Sequence, residues 1–348
     1  MASKYKSSAK SIPVEQSVGT VLAHDITEIR PGLFKGPAFK KGHIITEDDL
    51  PHLRRIGKEH IFILHMEPGE VHENDAALRL SDALAGKGIV FDPDPSEGKI
   101  SFKSASRGLL KVNVDALIDL NLVPDISCSS RHNNSIVEKG EIIAAVRTIP
   151  LIIEGSILDI AVKVAEKAGG IFSLKTFSQL KTGLVITGSE VYTGLINDNF
   201  APIIKEKLRS FDCPVMGVSF APDNEEIIVD EIKKCLKGGA EMIMVAGGMS
   251  VDPDDVTRSA ISKAGAEDLV YGTPVLPGAM FLYGRFGNIP VLGLPACILY
   301  YKTTVLDLIL PRVLAGETIT RKDLATLAHG GLCLNCGVCR FPVCPFGK

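Results

Sequence analysis

The sequence predicts an α/β protein: a doubly wound, mainly parallel sheet over residues 181–316, with α+β amino-terminal (1–64) and middle (65–180) segments before it and a short Cys-rich tail (317–348) after it. Three observations carry this reading. From residue 181 apolar strand-like runs alternate with amphipathic helical runs, which is the signature of a parallel sheet joined by crossover helices. The stretches before it mix short β-like pieces with turn-rich joints. Four of the eight cysteines fall within residues 333–344.

In the first segment, "DDLPHLRRIGKEHIFILH" reads as a short helix over 50–56 that stops at Gly57, followed by a β-rich run over 61–64. The middle segment opens with "EPGEVHENDAALRLSDALAG", where Asn74 or Asp75 is the expected helix cap, Ala77, Leu80 and Leu84 hold helical spacing, and Gly86 closes the helix. Short β-like pieces follow at 88–91, 99–102, 108–112 and 142–147, separated by "DPDPSEG" and "SSRHNNS". In the third segment "GLVIT", "PVMGVSF" and "EMIMVA" read as strands. "NDNFAPIIKEKLRSF" and "DNEEIIVDEIKKCLKGG" read as the helices between them, the latter capped by Asp223 or Asn224 and ended by Gly238, and "GNIPVLGLPACILYY" supplies a fourth strand.

Composition narrows the function. With 348 residues, 45% hydrophobic and 23% charged, the chain has material for two or three cores. A net charge of −3 without a long basic run speaks against nucleic acid as the main partner. No apolar run reaches the length of a membrane span, since "GEIIAAVRTIPLIIEGS" is cut by Arg147, Pro150 and Glu154, so no membrane embedding is expected. The opening "MASKYKSSAKSIPVEQ" carries Lys4, Lys6 and Lys10 but no signal-length apolar run, and reads as a mobile tail of a cytoplasmic protein. The clustering of the cysteines argues against a disulfide framework and for a reducing compartment.

Right-handed crossovers place every strand-to-helix loop at the carboxyl edge of the sheet, where open α/β folds bind ligands. The loops gathered there are "TGSEVYTG" (187–194), "APDNEE" (221–226), "AGGMSVDPDD" (246–255) and residues 293–297. Gly247 and Gly248 would let backbone N–H groups meet a phosphate, and Glu190, Asp223, Asp252 and Asp255 would offer the oxygen ligands that Mg²⁺ prefers. The same residues also have plainer readings: Asp254 as a helix cap, the glycine pair as turn geometry, Glu190 and Asp223 as solvated loop acids. "HMEPGEVHE", with His65, His72, Glu67, Glu70 and Glu73, fits no metal-ligand spacing closely.

Five stretches, "VITGSEVYTGLINDNFAPIIKEKL", "GVSFAPDNEEI", "MIMVAGGMSVDPDDVTRSAI", "PVLPGAMFLYG" and "IPVLGLPACILYYKTTVLDLILPRVLAG", resemble in order and spacing the molybdopterin-binding domain shared by molybdopterin adenylyltransferases, molybdopterin molybdotransferases and the gephyrin carboxyl domain. "SVGTVLAHDITEI" with "FKKGHIITEDDLPHLRRIGKEHIFIL" also resembles the opening of the molybdotransferases. The resemblance implies molybdopterin or molybdenum cofactor as ligand, and Mg²⁺-dependent insertion of molybdate into an adenylated pterin. It also implies a homodimer. By position it implies catalytic roles for Glu190, Asp223 and Asp255, and cofactor contacts from Thr187, Gly188, Gly247, Gly248, Ser250, Pro277, Gly278, Pro295 and Cys297. The chain departs from the family pattern at Ser189 (usually an acid), Asp252 (usually Gly), "PGAM" (277–280, usually Pro-Gly-Lys-Pro) and "LPACI" (294–298, usually Leu-Pro-Gly-Asn-Pro). A missing lysine forfeits a charge-assisted phosphate contact of about 1.5–3 kcal/mol. These departures bear on catalysis more than on pterin binding. They open an alternative, a non-catalytic carrier that delivers mature cofactor to a molybdoenzyme or another cofactor-synthesis protein. A nucleotide-cleaving relative on the same fold is a third reading. Cys297, whose soft sulfur would suit molybdenum or a dithiolene, reads more plainly as a small buried residue before a core helix.

In the tail, Cys333-x2-Cys336-x2-Cys339-x4-Cys344-Pro345 is one residue longer than the bacterial ferredoxin run. Four thiols at this spacing predict a metal site, either [4Fe-4S] or Zn²⁺, serving as a redox or docking element.

Overall fold

The structure, a computed structural model, describes residues 10–63, 66–96 and 98–348. The start with Lys4 and Lys6 lies outside these, as does His65. The chain divides into two compact units, residues 1–175 and 176–348.

In the first unit, Lys10–Pro13 pairs antiparallel with His60–Ile63 and Ile26–Arg30 with Phe34–Phe39, around a small core of Val14, Leu22, Ile26, Phe39, Ile45, Leu53 and Ile61. The helix Leu50–Arg55 lies where expected. Beyond it, an antiparallel sheet orders Ile89–Phe91, Lys99–Ser104, Ile142–Thr148 and Ile126–Ser130, with Gly108–Val112 and Phe172–Lys175 in a smaller sheet. The helices Glu73–Leu84 and Gly155–Lys167 pack on each other, and Leu80, Leu84, Phe102, Val146, Leu158 and Phe172 fill the core. His72, rather than Asn74 or Asp75, caps the first of these helices. Its ring is buried, its Nε2–H donates to the Ala23 carbonyl at 2.7 Å, and Nδ1 accepts from Asn74 N–H at 3.1 Å. Burial lowers its pKa, so the neutral tautomer that can accept the cap bond is the stable one.

The second unit holds the doubly wound sheet. The strand order is Val215–Ala221, Thr182–Thr187, Met242–Ala246, Ile289–Leu294, Leu282–Phe286, Glu267–Tyr271. The first four run parallel, Leu282–Phe286 runs antiparallel to them, and Glu267–Tyr271 pairs antiparallel with Leu282–Phe286. Thr182–Thr187 is buried along its whole length, as a central strand covered on both faces must be. Val185, Ile243 and Val245 meet Ile228 and Ile232 of the helix Glu225–Lys237 on one face, while Phe200–Arg209 packs over the other. Asn224 caps the former helix, its side chain accepting from Ile227 N–H at 3.1 Å. The helix after the Gly-Gly loop opens at Thr257 rather than near Asp254. Residues 252–256 are spent on tight turns, with Asp255 N–H on the Asp252 carbonyl at 3.0 Å.

Behind the sheet, the helix Val305–Leu314 starts from a capping box of Thr304 and Asp307. Its Arg312 is only 7% exposed and donates to Glu317 at 2.8 Å and to Asp323 at 2.5 Å. Asp323 also accepts from the Thr320 N–H and hydroxyl, which caps Arg321–Thr326. Burial alone would raise the Asp323 pKa, but the Thr320 and Arg312 hydrogen bonds outweigh it and hold the carboxyl at about 2. The folded pKa is depressed, so this carboxylate stabilises fully above its ordinary value and progressively less as pH falls towards about 2. Arg312→Leu is expected to cost about 3 kcal/mol, the scale for breaking a buried ion pair by removing one partner. It should also flatten the acid limb: denaturant titrations between pH about 5 and about 2 should show a smaller stability loss than in wild type. Parallel acid limbs in the two proteins would contradict this account.

Candidate functional site

The four parallel strands end at one edge of the second unit. Thr187 closes the strand Thr182–Thr187 and is almost fully buried; its Oγ1 lies 3.0 Å from Thr257 Oγ1 and 3.3 Å from the Ala246 carbonyl. This side chain bolts two neighbouring loops together. Gly247 and Gly248 follow Ala246 with φ of +103° and +56°; a Cβ on Gly247 would strike the Thr187 carbonyl, and one on Gly248 would sit 2.6 Å from Thr257 Oγ1. The glycine pair therefore answers a need of the turn, and the same bareness exposes the backbone beside the loop.

Gly188, with φ +139°, turns the chain into the short helix Ser189–Tyr192. Ser189 and Asp223 bind each other reciprocally: Ser189 N–H donates to Asp223 Oδ2 at 2.8 Å, and Asp223 N–H donates to Ser189 Oγ at 3.2 Å. An acid at position 189 would set a second carboxylate against Asp223, and the serine avoids that repulsion. Glu190 is exposed.

Beside these loops lies a cavity of about 710 Å³, within the usual range for a small-molecule site. Gly248, Met249, Ser250, Asp252 and Asp255 line it from one loop, residues 276–280 from a second, residues 295–297 from a third, and Tyr301, Leu332, Cys333 and Asn335 close it. Of the residues singled out in the sequence, the cavity brings together Gly248, Ser250, Asp252, Asp255, Pro277, Gly278, Pro295, Cys297 and Cys333. Thr187, Gly188, Glu190, Asp223 and Gly247 stand outside its lining. Gly278, at φ +135°, has no room for a Cβ against Val305. Asp255 Oδ2 accepts from Asp252 N–H at 3.2 Å, which fixes the acidic side of the cavity. Burial pushes the half-buried Cys297 thiol up, so it stays protonated at neutral pH. Leu332 belongs to no motif that sequence reasoning could pick out, and Tyr301 and Asn335 lie within motif stretches but carry no signal of their own; only the fold brings them here.

The tail is built into this unit. Leu276 N–H donates to the Gly331 carbonyl at 2.8 Å and Cys333 N–H to the Leu276 carbonyl at 2.8 Å, while Gly347 N–H reaches Gly330 at 2.9 Å and Phe346 is buried. All four tail cysteines line a second cavity of about 200 Å³, together with Tyr300, Tyr301, Lys302, Arg340 and Phe341. Thr303 Oγ1 lies 3.3 Å from Cys339 Sγ, and this contact lowers the Cys339 pKa. Among the described residues no three His, Cys, Asp or Glu side chains converge as ligands of one metal ion. For Mg²⁺ the cavity supplies two carboxylates, Asp252 and Asp255, a set suited to an ion that takes its remaining oxygens from phosphate and water. Of the histidine-rich stretch at 65–73, His72 is committed to Ala23 and Asn74.

Residues 183–315 match the family model described as "probable molybdopterin binding domain", and residues 11–65 match a model described as a domain of unknown function. The molybdopterin molybdenumtransferase of Haemophilus influenzae is 25% identical over 273 residues, 68% of this chain and 63% of that protein. This chain thus spans less than two thirds of that transferase. A CinA-like protein of Thermosipho melanesiensis is 33% identical over 91 residues, 26% of this chain and 22% of that one. Among solved structures, the molybdopterin biosynthesis enzyme MoaB of Thermus thermophilus aligns at 20% identity over 40% of this chain and 98% of that one, with a TM-score of 0.35. The resemblance to the molybdopterin-binding family, read from five motifs, thus holds in the domain where those motifs lie.

Gly247→Ala should destabilise the second unit by about 1–3 kcal/mol, combining a strained φ with the clash on Thr187. Gly265→Ala, at φ +101° but with open space around it, should cost only the φ strain. Thermal unfolding of the two variants checks this, and equal losses would mean that the Thr187 contact carries no weight.

Proposed function

We propose that the second unit binds molybdopterin in the 710 Å³ cavity and that the protein serves molybdenum cofactor biosynthesis, inserting molybdate into an adenylated pterin with the help of Mg²⁺. The observation that carries this reading is the common cavity of the Gly-Gly-Met-Ser, Pro-Gly-Ala-Met and Leu-Pro-Ala-Cys loops, three of the stretches on which the family resemblance rests. The backbone around Gly248 and the hydroxyl of Ser250 would receive the phosphate. Asp252 and Asp255 would hold Mg²⁺, which supplies neutralisation of phosphate charge. Asp255 is oriented for this by its bond to Asp252 N–H. Glu190 and Asp223, beyond the lining, would act on the adenylate end of a ligand longer than the cavity. The pterin would lie against Leu276, Ala279 and Met280, which make that wall apolar. We further place the protein in the cytoplasm as a homodimer, with the cysteine tail as a metal-binding element.

One observation favours a carrier as the second reading. Ala279 stands on the cavity wall where the family has lysine, so the phosphate loses a cation there while the apolar wall for the ring is kept. Such a carrier would hand its cofactor to a molybdoenzyme or another cofactor-synthesis protein.

Oxidation of anaerobically purified protein should release a fluorescent pterin, after incubation with cofactor precursor if none is carried. With adenylated molybdopterin and molybdate, wild type should insert the metal in a Mg²⁺-dependent manner. Asp255→Asn should lose at least about tenfold in rate, equivalent to about 1.4 kcal/mol, with pterin retention within about threefold. Pterin retained without insertion would leave the carrier; no pterin under either condition would sink both readings.

A further inference from the structure

We propose that Cys333, Cys336, Cys339 and Cys344 hold a [4Fe-4S]-type cluster rather than a single zinc ion, and that the loaded cluster stiffens one wall of the ligand cavity. The first half stands independently of the pterin reading; the second rests on that cavity being the ligand site.

The donor set is four thiols on one cavity of about 200 Å³, several times the ~30 Å³ share of a water molecule. A lone zinc ion would need its sulfurs at about 2.3 Å from the metal in a tight tetrahedron. The four cysteines line one common space, wider than a single ion needs. A polynuclear cluster brings its own iron and sulfide to fill such a space, and the x2-x2-x4 spacing followed by Pro345 stays within one residue of a cluster-binding run. The surroundings suit an anionic, soft cofactor. Lys302 and Arg340 line the same space, no Asp or Glu is among its lining residues, and Phe341 and Phe346 give it an apolar side.

The coupling follows from shared walls. Tyr301, Cys333 and Asn335 line both this cavity and the larger one. Cys333 is also tied through its backbone to Leu276, the residue that leads into the Pro-Gly-Ala-Met loop. A cluster ligated by Cys333 would therefore restrain the loop that faces the ligand.

The test is anaerobic reconstitution of the full chain with Fe²⁺ and sulfide, and in parallel with Zn²⁺ alone, followed by iron, sulfide and zinc analysis and hydrogen exchange. The expected result is about four iron and four sulfide per chain. Incorporation should fall at least about fourfold in Cys336→Ser with Cys339→Ser, two exposed positions where the change leaves the core untouched, and should be unaffected in Cys235→Ser. Exchange over 276–280 and 331–335 should slow at least about tenfold on loading. Zinc taken up one per chain with no iron incorporated would overturn the cluster, as would iron retained in the double variant. Full iron loading with unchanged exchange at 276–280 would overturn the coupling alone. Neither readout uses pterin, so a failure of the pterin reading shows up separately.

Discussion

Two backbone hydrogen bonds at Leu276, one from its own N–H to Gly331 and one to its carbonyl from Cys333, decide what kind of site this protein has. A parallel sheet of this type already gathers its loops at one edge, and that edge alone would be an open shelf. The Leu276 pair lays residues 331–335 alongside the Pro-Gly-Ala-Met loop and gives the shelf a further wall, making it a part-open cavity. The pair in turn depends on elements far from the edge. Arg312 ties Glu317 and Asp323 to the back of the sheet, and Asp323 caps the helix from which the tail departs. Gly330 and Phe346 then anchor the far end. Each of these contacts is modest alone; together they place Cys333 on the larger cavity and all four thiols on the smaller one beside it.

The cavity is divided chemically. Ser250, Asp252 and Asp255 make one side polar and acidic, while Leu276, Ala279, Met280 and Leu332 make the other apolar, with Cys297 and Cys333 among them. On the proposed reading, this division fits a molecule with a phosphate at one end and a flat, sulfur-bearing ring at the other. The departures from the family pattern fall mostly on the apolar side. Ala279 and Cys297 change what the ring and its metal would touch, whereas on the polar side Gly248, Ser250 and Asp255 follow the family pattern and Asp252 adds a carboxylate where the family usually has glycine. Ser189 follows a different logic, since it relieves Asp223 of a neighbouring charge and lets the two loops bind each other.

How much of this the sequence discloses depends on how far each feature reaches along the chain. The parallel strands and their helices are legible because their periodicity is local and strong. The hairpin of Leu282–Phe286 with Ile289–Leu294 escapes the reading by periodicity, although Gly287-Asn288 between two apolar runs is a two-residue hairpin signal. The helix Gly155–Lys167 is hidden because the strand Ile152–Glu154 runs into it without a break, so "IPLIIEGSILDIAVKVAEK" presents two periods as one apolar stretch. Likewise His72 as a cap is no composition signal, since a histidine caps only when burial keeps it neutral. In the site, the motif loops announce themselves, but Leu332 and Asn335 are ordinary residues made relevant by a chain crossing, and Tyr301 stands in a motif stretch without a signal of its own.

That crossing also changes the meaning of the cysteine motif. Read along the chain, the thiols belong to a tail appended after a ligand-binding domain, and any metal there would be remote from the domain's business. Read in space, Cys333 faces both cavities, and its backbone is hydrogen-bonded to Leu276. A ligand filling the larger cavity and a metal filling the smaller would compete or cooperate through the same three side chains, Tyr301, Cys333 and Asn335. Thermodynamic linkage then makes the influence mutual: whatever the metal does to ligand affinity, the ligand does to metal affinity by the same factor. On the proposed reading, the protein would therefore hold its pterin differently with and without its metal.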